Sequence, residues 1–540
     1  MIRTAIKQHR YLARLDTRQL GNLYTDCLVL GAGVAGLRAA LESAQAGGTL
    51  VLTKGKLSDS NTYHAQGGIA AVVGEGDSLE SHIEDTLQTG CGLCDRKVVE
   101  LVIRQGPGQI RQLQQWSAPF DMEEGRIAAG REGGHSHSRV VHALGDATGK
   151  AVALCLAEQV RRQKNIKIFE DCFSIDLLTE EGRCLGVLCY HRKYGLQCIW
   201  ARQTILATGG TGQLWRETTN PAGATADGLA MAWRAGAVLA DLEFMQFHPT
   251  TLYIAGAQRT LITEALRGAG GYLVDGRGHR FMQDYHELGE LAPRDVVSQV
   301  IYAHLARTSA TNVYLDVRHL GSKWLAGRFP TISALCESFD INVDTDLIPV
   351  RPSAHYMVGG VKTDSNGRTN IANLYCCGEA AATGLHGSNR LASNSLLEGL
   401  VFGEICGQRV AEEISGNPNE AQRHVIVYDI PDSARTKLDI ADVSNSLRSV
   451  MWRNVGISRC EDRLSETIEI IDFWRSYVMD KVFNEPGDWQ CQNMLTVCRL
   501  IGQSARQRRE SRGVHQRSDY TQRDDKNFLH HIEIGPVSYQ

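Results

Sequence analysis

Two sets of residues in this 540-residue chain have types and spacing suited to chemistry. The first is a glycine run, Gly31-Ala32-Gly33-Val34-Ala35-Gly36, directly after the apolar Cys27-Leu28-Val29-Leu30. Gly31 permits a tight turn, Gly33 lets the backbone approach a pyrophosphate, and Gly36 lets a helix pack close to the strand. The helix N-terminus then offers N–H groups and a positive dipole end to phosphates. The second is a set of imidazoles and guanidiniums: His248, Arg267, Arg294, His355 and Arg390. Arginine meets a carboxylate with a planar two-pronged fork, so such a set suits a small dicarboxylate.

The glycine run needs a βαβ frame. Leu37 to Ala46 continues as helix, and Thr49 to Leu52 reads as the next strand. After that strand comes Thr53-Lys54-Gly55, with no acid between Glu42 and Asp59. An NAD site usually places Asp or Glu there to hold the ribose, so NAD is disfavoured, and the downstream sequence favours FAD. A second strand, Thr204 to Ala207, runs into Thr208-Gly209-Gly210. A third, Ile371 to Cys377, ends in Gly378-Glu379, where Glu379 is placed to accept hydrogen bonds from a ribityl chain. Ser395-Leu396-Leu397-Glu398 reads as a capping box with Ser395 starting a helix. That N-terminus would stabilise the negative charge a reduced flavin gains.

Length predicts two to four domains. Composition is that of an ordinary globular protein, 43% hydrophobic and 22% charged. A net charge of −4 gives no bulk attraction to nucleic acid or anionic membrane. No apolar run reaches membrane-spanning length. Residues 1–20 carry Arg3, Lys7, Arg10 and Arg14 without an uninterrupted apolar stretch, and read as a mobile extension rather than a secretory signal. Fifteen scattered cysteines suggest reduced thiols and a cytoplasmic location. Cys91-Gly-Leu-Cys94 lacks a second pair at metal spacing and reads as two thiols, so no metal site is expected.

Residues 80–116 and 147–163 are helical by spacing, and strands follow at Ile166 to Phe169, Ser174 to Leu178 and Leu185 to Tyr190. Residues 256–347 change character, with a polar glycine loop at Asp275 to His279 and a helix over Asp295 to Arg307. They read as an insertion. From about 430 the pattern is helical, with three amphipathic segments and an Arg-rich end. The expected fold class is α/β. A dinucleotide domain over 21–255 resumes at 348–420 after an inserted domain at 256–347, and a helical domain covers 430–540.

Taken together, the motifs resemble the flavoprotein family of succinate dehydrogenase, fumarate reductase and L-aspartate oxidase, over about 25–525. The matching segments are Gly31–Gly36, Ala65-Gln66-Gly67-Gly68-Ile69, Ala207-Thr208-Gly209-Gly210, Asp227-Gly228, Glu243 to Thr250, Pro293-Arg294-Asp295, His355-Tyr356, Gly378-Glu379, Asn389 to Leu397, and Arg508 to Tyr520. The resemblance implies a Rossmann-like FAD-binding domain interrupted by an α+β capping domain and followed by a C-terminal helical domain. It implies FAD contacts at Gly31, Gly33, Val34, Ala35, Gly36, Lys54, Thr62, Tyr63, His64, Ala65, Gln66, Gly67, Gly68, Ile69, Asp227, Glu379, Ser395 and Leu396. It gives Arg294 a proton-transfer role, assigns His248, Thr263, His355 and Arg390 to substrate carboxylates, and gives Glu132 and Glu264 the amine end or the proton path.

Two positions distinguish branches of the family. The dehydrogenases carry a flavin-linking histidine four residues before the Ala-Gln-Gly-Gly motif. Here that position is Asn61, which implies non-covalent FAD. The segment Arg131-Glu132-Gly133-Gly134-His135-Ser136-His137 resembles the L-aspartate oxidase branch, where an acid faces the substrate ammonium. Succinate has no ammonium, and a buried acid would be costly in its site. That branch implies oxidation of L-aspartate to iminoaspartate with dioxygen or fumarate as acceptor. This is the first step of NAD biosynthesis, and quinolinate synthase consumes the product. The alternatives are a soluble fumarate reductase or succinate dehydrogenase flavoprotein, and a non-catalytic flavin-binding regulatory protein.

Overall fold

The computed structural model describes residues 9–535 except 258 and 418. Strand Gly21–Leu30 is solvated at its start and wholly buried over its last four residues. An apolar run covered on both faces and flanked by parallel neighbours must be so. Thr49–Leu52 pairs with it in parallel on one side and Gly195–Leu206 on the other. Ile166–Phe169 continues the parallel set beyond Thr49–Leu52, and Leu374–Cys376 joins the end of Gly195–Leu206. Cys172–Glu180 and Arg183–His191 close the far side as an antiparallel meander.

Register brings the carboxyl ends Leu30, Leu52, Leu206 and Cys376 to one edge of this sheet. The turns that follow them, at 31–33, 53–55, 207–210 and 377–379, all open onto one cavity. This is where open α/β sheets bind ligands.

Helix Val34–Ser43 lies against helix Asn394–Gly416 at very short range. A Cβ at Gly403 would stand 2.6 Å from the Ala35 carbonyl oxygen, and one at Gly407 2.5 Å from that of Ala39. Glycines spaced by four form a groove along one helix face that admits the partner backbone. The late segment of the chain is thereby locked onto the first dinucleotide helix.

The insertion grows from two long strands, Met245–Leu252 and Ile348–Met357, which pair antiparallel. Val313–Asp316 and Tyr272–Val274 extend this second sheet outward. Helices Arg294–Thr308, Ser322–Arg328 and Pro330–Glu337 cover it around a separate core that includes Leu266, Phe281, Ile301, Leu315 and Ile332. The two long strands run from one domain into the other, and they carry His248 and His355.

Helices Ile440–Asn454, Glu461–Val478 and Pro486–Gln507 form the C-terminal layer, which joins the main core through Leu447, Ile471 and Trp489. The Arg-rich motif is structural: Arg508, Arg512 and Arg517 are buried and paired with Glu243, Glu510 and Asp519.

Two expectations need correction. Residues 9–20 are not a mobile extension: Tyr11, Leu12 and Leu15 are buried, Leu12 N–H donates to Asp176 at 2.7 Å, and Leu15–Asp16 pairs with Val427–Tyr428. Their apolar side chains find cover on the main core, so charge in the segment was a poor guide. Arg3 and Lys7 lie outside the described residues. The predicted helix 80–116 is two helices, Leu79–Thr89 and Arg96–Gln115. The break falls at Cys91, in left-handed backbone with φ of +53°, and Asp95 caps the second helix through Lys97 N–H.

Candidate active site

A cavity of about 650 Å³ runs from the sheet edge to the base of the insertion, within the usual range for cofactor and small-molecule sites. At the sheet end the wall is largely backbone. Gly31 has φ of +113°, and a Cβ there would fall 2.0 Å from the Ala207 carbonyl oxygen. Gly33 caps helix Val34–Ser43 without any side-chain cap, and Val34 N–H donates to Thr62 Oγ1 at 3.0 Å. Lys54 Nζ reaches Asp227 Oδ2 at 2.8 Å and Thr225 Oγ1 at 2.6 Å. Glu379 accepts from Met357 N–H at 2.9 Å and from Asn61 Nδ2 at 3.3 Å. Burial pushes its carboxyl up to about 7. It sits in a short 3-10 turn, Gly378–Ala380, and the preceding strand ends earlier, at Cys376.

The Ser395 cap is corrected. The helix starts at Asn394, and Ser393, at φ of +61°, holds the cap position without a side-chain cap. Glu398 does not close a capping box. It accepts instead from Thr383 Oγ1 at 2.6 Å and Tyr356 Oη at 2.8 Å, and contacts His386 Nε2 at 2.9 Å. A buried carboxylate takes the partners that satisfy it best, and three side chains outcompete one backbone N–H. Ser395 and Leu396 still face the cavity from the first turn.

FAD fits this end on three observations. The glycine turn leaves room only for backbone, and a helix N-terminus whose cap, Gly33, brings no side chain faces the cavity. Three cavity-lining polar atoms, Asn61 Oδ1, Gln66 Oε1 and Thr208 Oγ1, are buried with no partner among the described residues. Each such atom costs about 1–3 kcal/mol unless a bound group satisfies it. When bound, FAD would meet Gly33, Val34, Ala35, Lys54, Thr62, His64, Ala65, Gln66, Gly67, Gly68 and Asp227, all in the wall. Gly36, Tyr63 and Ile69 are not in the wall. Gly36 packs under the turn, Tyr63 stands edge-on to His64, and buried Ile69 pairs with Val141.

At the other end the wall is charge. His248 and His355 meet with ring centroids 5.1 Å apart, one from each long strand. Thr219 Oγ1 lies 2.9 Å from His355 Nδ1, while His248 turns Nδ1 to the Thr250 backbone and leaves Nε2 unpartnered. Burial holds both imidazoles well below their usual range, with Arg294 adding to the effect on His248 and Arg390 to that on His355. Both are therefore neutral near pH 7.

Thr263 caps the short helix Glu264–Gly268 and lines the cavity. Arg294 opens helix Arg294–Thr308 directly after Pro293, a residue suited to a helix start. Its Nε donates to Glu264, Nη1 reaches Gln246 Oε1 at 3.4 Å, and Nη2 stands 4.0 Å from Glu132 Oε2. Arg267 is buried behind Glu264 at 3.4 Å. Arg390 stacks over Tyr356 at 4.4 Å with Nε unpartnered, and burial lowers it only to about 10, so it remains charged.

Glu132 stands one layer behind the wall. Its Oε2 accepts from Ser393 Oγ at 2.7 Å. Burial alone would raise its carboxyl, but His142, Arg294 and Ser393 together hold it to about 2. Arg267 and Arg294 thus stand among Glu132 and Glu264, while Arg390 feels both Glu379 and Glu132. Glu290, nearby, is matched separately by a two-pronged pair with Arg280.

One organising residue escaped the sequence reading. Gln246 donates to Asn389 Oδ1 at 2.9 Å and to the Arg390 carbonyl at 2.8 Å, and accepts from Arg294, so it ties two arginines together. The available signal was its place two residues before His248, on the same strand face.

A family model of FAD binding domains matches residues 26–396, and one of fumarate reductase flavoprotein C-terminal regions matches 444–535. The L-aspartate oxidase of Streptomyces coelicolor is 42% identical over 94% of this chain and 91% of its own. That of Pseudomonas aeruginosa is 41% identical over 92% and 95%. Among solved structures, FrdA of E. coli quinol fumarate reductase superposes with a TM-score of 0.87 at 33% identity, covering 96% of this chain and 95% of that one. The chain belongs to the L-aspartate oxidase family, within the FAD-binding flavoproteins that include fumarate reductase.

Proposed function

We propose that this protein oxidises L-aspartate to iminoaspartate with FAD. One observation carries the reading: buried Glu132, its carboxyl held to about 2 and 4.0 Å from Arg294, in a site whose other charged groups suit carboxylates. L-Aspartate at neutral pH brings two carboxylates and an ammonium, and the ammonium is the partner that this carboxylate needs. Succinate and fumarate have the carboxylates but no ammonium. A buried site balances its charge or loses stability and affinity. The names of the relatives, L-aspartate oxidase, support the same reading.

FAD, when bound, supplies the hydride acceptor. The chain supplies the rest. Arg390 and Arg294 grip carboxylates with planar forks, and neutral His248, His355 and Thr263 complete the grip. Glu132 serves the ammonium. Arginine is normally always protonated, so Arg294 moves a proton only as part of a relay, and Glu264 is the next link, held in place by Arg267 behind it. With fumarate as acceptor, the same groups would bind its carboxylates and deliver a proton while bound FAD supplied the hydride; dioxygen is the other acceptor. The imine product has quinolinate synthase as its consumer, which puts the reaction at the head of NAD biosynthesis. The location proposed is the cytoplasm, since the fifteen cysteines stand as free thiols. No helix among the described residues is long and apolar enough to cross a membrane.

The test is anaerobic mixing of the purified holoenzyme with L-aspartate or succinate. L-Aspartate should bleach the flavin and succinate should only shift its spectrum. Bleaching by succinate alone would establish the fumarate reductase reading, and bleaching by neither a non-catalytic flavoprotein. Because Asn61 stands where a linking histidine would, acid precipitation should release all the flavin into the supernatant. Flavin kept on the pellet would contradict non-covalent binding.

A further inference from the structure

We propose that His142 takes up, through Glu132, the proton that the substrate ammonium sheds, so that a buried Glu132–His142 dyad serves the amine end of the site. This deepens the aspartate reading above and rests on it.

A small ladder places the two residues together. Strand Val140–Val141, directly before His142, pairs with Ile69–Ala70 and with Ala129–Gly130. Glu132 follows two residues after Gly130. A Cβ at Gly130 would stand 3.1 Å from His142 Cε1, so the ring lies close against this backbone.

The hydrogen bonding is unusual for a structural histidine. His142 is 4% exposed, yet neither ring nitrogen has a hydrogen-bond partner among the described residues. Glu132 Oε1 is likewise unpartnered. His142 Nε2 and Glu132 Oε1 stand 3.7 Å apart, an ion-pair separation longer than a formed hydrogen bond. Buried imidazoles that only fill space are normally bonded on at least one nitrogen. The other carboxylate oxygen, Oε2, is taken by Ser393 Oγ and stands 4.0 Å from Arg294 Nη2. Oε1 is therefore the oxygen left to hand a proton onward.

The step balances. Hydride leaves the substrate carbon for the oxidised flavin. One N–H bond of the ammonium breaks and its proton passes to Ser393 Oγ in the wall, whose own proton goes to Glu132 Oε2. The carboxyl turns, its O–H bond breaks as His142 Nε2 takes the proton, and the nitrogen electron pair closes the C=N bond. Arg294 cannot accept this proton, because a guanidinium is already protonated. Fumarate reduction sheds no amine proton and does not need the dyad.

The experiment compares His142→Gln and His142→Asn holoenzymes with the parent in two assays: L-aspartate oxidation, and fumarate reduction with a reduced dye as donor. A positioned proton acceptor is worth about 10²–10⁴-fold, so the ratio of aspartate to fumarate kcat should fall at least about tenfold. The dissociation constant for succinate, read from the flavin spectral shift, should stay close to the parent value. Three results would overturn the proposal: equal loss in both assays, loss of flavin in both variants, or full aspartate turnover in His142→Gln, which keeps a donor but cannot carry a proton. A parent enzyme without aspartate turnover would overturn the aspartate reading and this proposal with it. Parent turnover with an unchanged ratio in the variants would overturn this proposal alone.

Discussion

At the sheet end of the cavity, affinity comes from what the chain leaves out; at the insertion end, it comes from what the chain buries. The first wall is glycine turns and a bare helix start at Gly31, Gly33 and Gly209. The second is Arg294, Arg390, Glu264 and two neutral histidines. Backbone geometry is set locally and fails abruptly when a Cβ intrudes. A buried charge array is set by sequence-distant partners, and each member is costly to leave alone. The two ends should therefore respond differently to substitution.

The largest expected effect lies at the backbone end. In Gly31→Ala a methyl would be forced to 2.0 Å from a carbonyl oxygen at φ of +113°, for a loss of more than about 4 kcal/mol. The variant should purify without flavin or fail to fold. A yellow protein of parental absorbance would mean that the turn can rearrange, and the contrast between the two ends would weaken.

At the charge end, Arg294→Lys keeps the charge but loses the fork that reaches Glu264 and Gln246 together. FAD should stay bound, and succinate should still shift the flavin spectrum. The kcat should fall by about 10²-fold or more in both aspartate oxidation and fumarate reduction. If KM rises at parental kcat, Arg294 only binds, and Glu264 becomes the first candidate for proton transfer.

Glu132→Gln should be more selective. Losing one partner of a desolvated charge pair costs about 3 kcal/mol, on the order of 10²-fold in aspartate kcat/KM. Fumarate reduction should survive. Equal loss in both would assign Glu132 to the fold, through its bond with Ser393.

The same contrast explains what could be read in the sequence. The glycine turn was legible because Gly31 and Gly36 meet local needs: a left-handed φ and a close helix approach. The alternation of strand and turn placed Lys54, Thr208 and Glu379 at one edge for the same reason. At the charge end, residue types were legible but their ties were not. Nothing near Gln246 says that it bridges Arg294 and the Arg390 carbonyl. Glu398 looked like a helix cap because spacing alone does not show Tyr356, Thr383 and His386 arriving from elsewhere. Residues 9–16 misled similarly, since burial of Tyr11 and Leu12 depends on a surface formed by strands more than 150 residues later.

The smallest expected effect concerns pH, and it weighs the buried imidazoles against the carboxyl of the backbone end. Burial holds His248, His355 and His515 well below the usual histidine range, and His82 at about 3. In the unfolded chain each would protonate near 6.5. Below that pH the unfolded state binds more protons than the folded one, so stability falls as pH falls. Glu379 works the other way. Its folded carboxyl, raised to about 7, is protonated between pH 7 and about 4.5 while the unfolded one stays ionised, so it adds stability over that window as pH falls. Each group is worth up to about 1.4 kcal/mol per pH unit inside its own window. His135 and His304 are lowered as well, so six histidines act in this direction against Glu379, and the Tm of the holoenzyme should drop between pH 7.5 and 5.5. Replacing His248 and His355 together by Gln should make that drop shallower, because two of the six groups are then gone. A Tm that is flat or rises on acidification would mean that the imidazoles of the charge end are already protonated in the folded protein. The assignment of His248 and His355 as neutral partners of the substrate carboxylates would then fail.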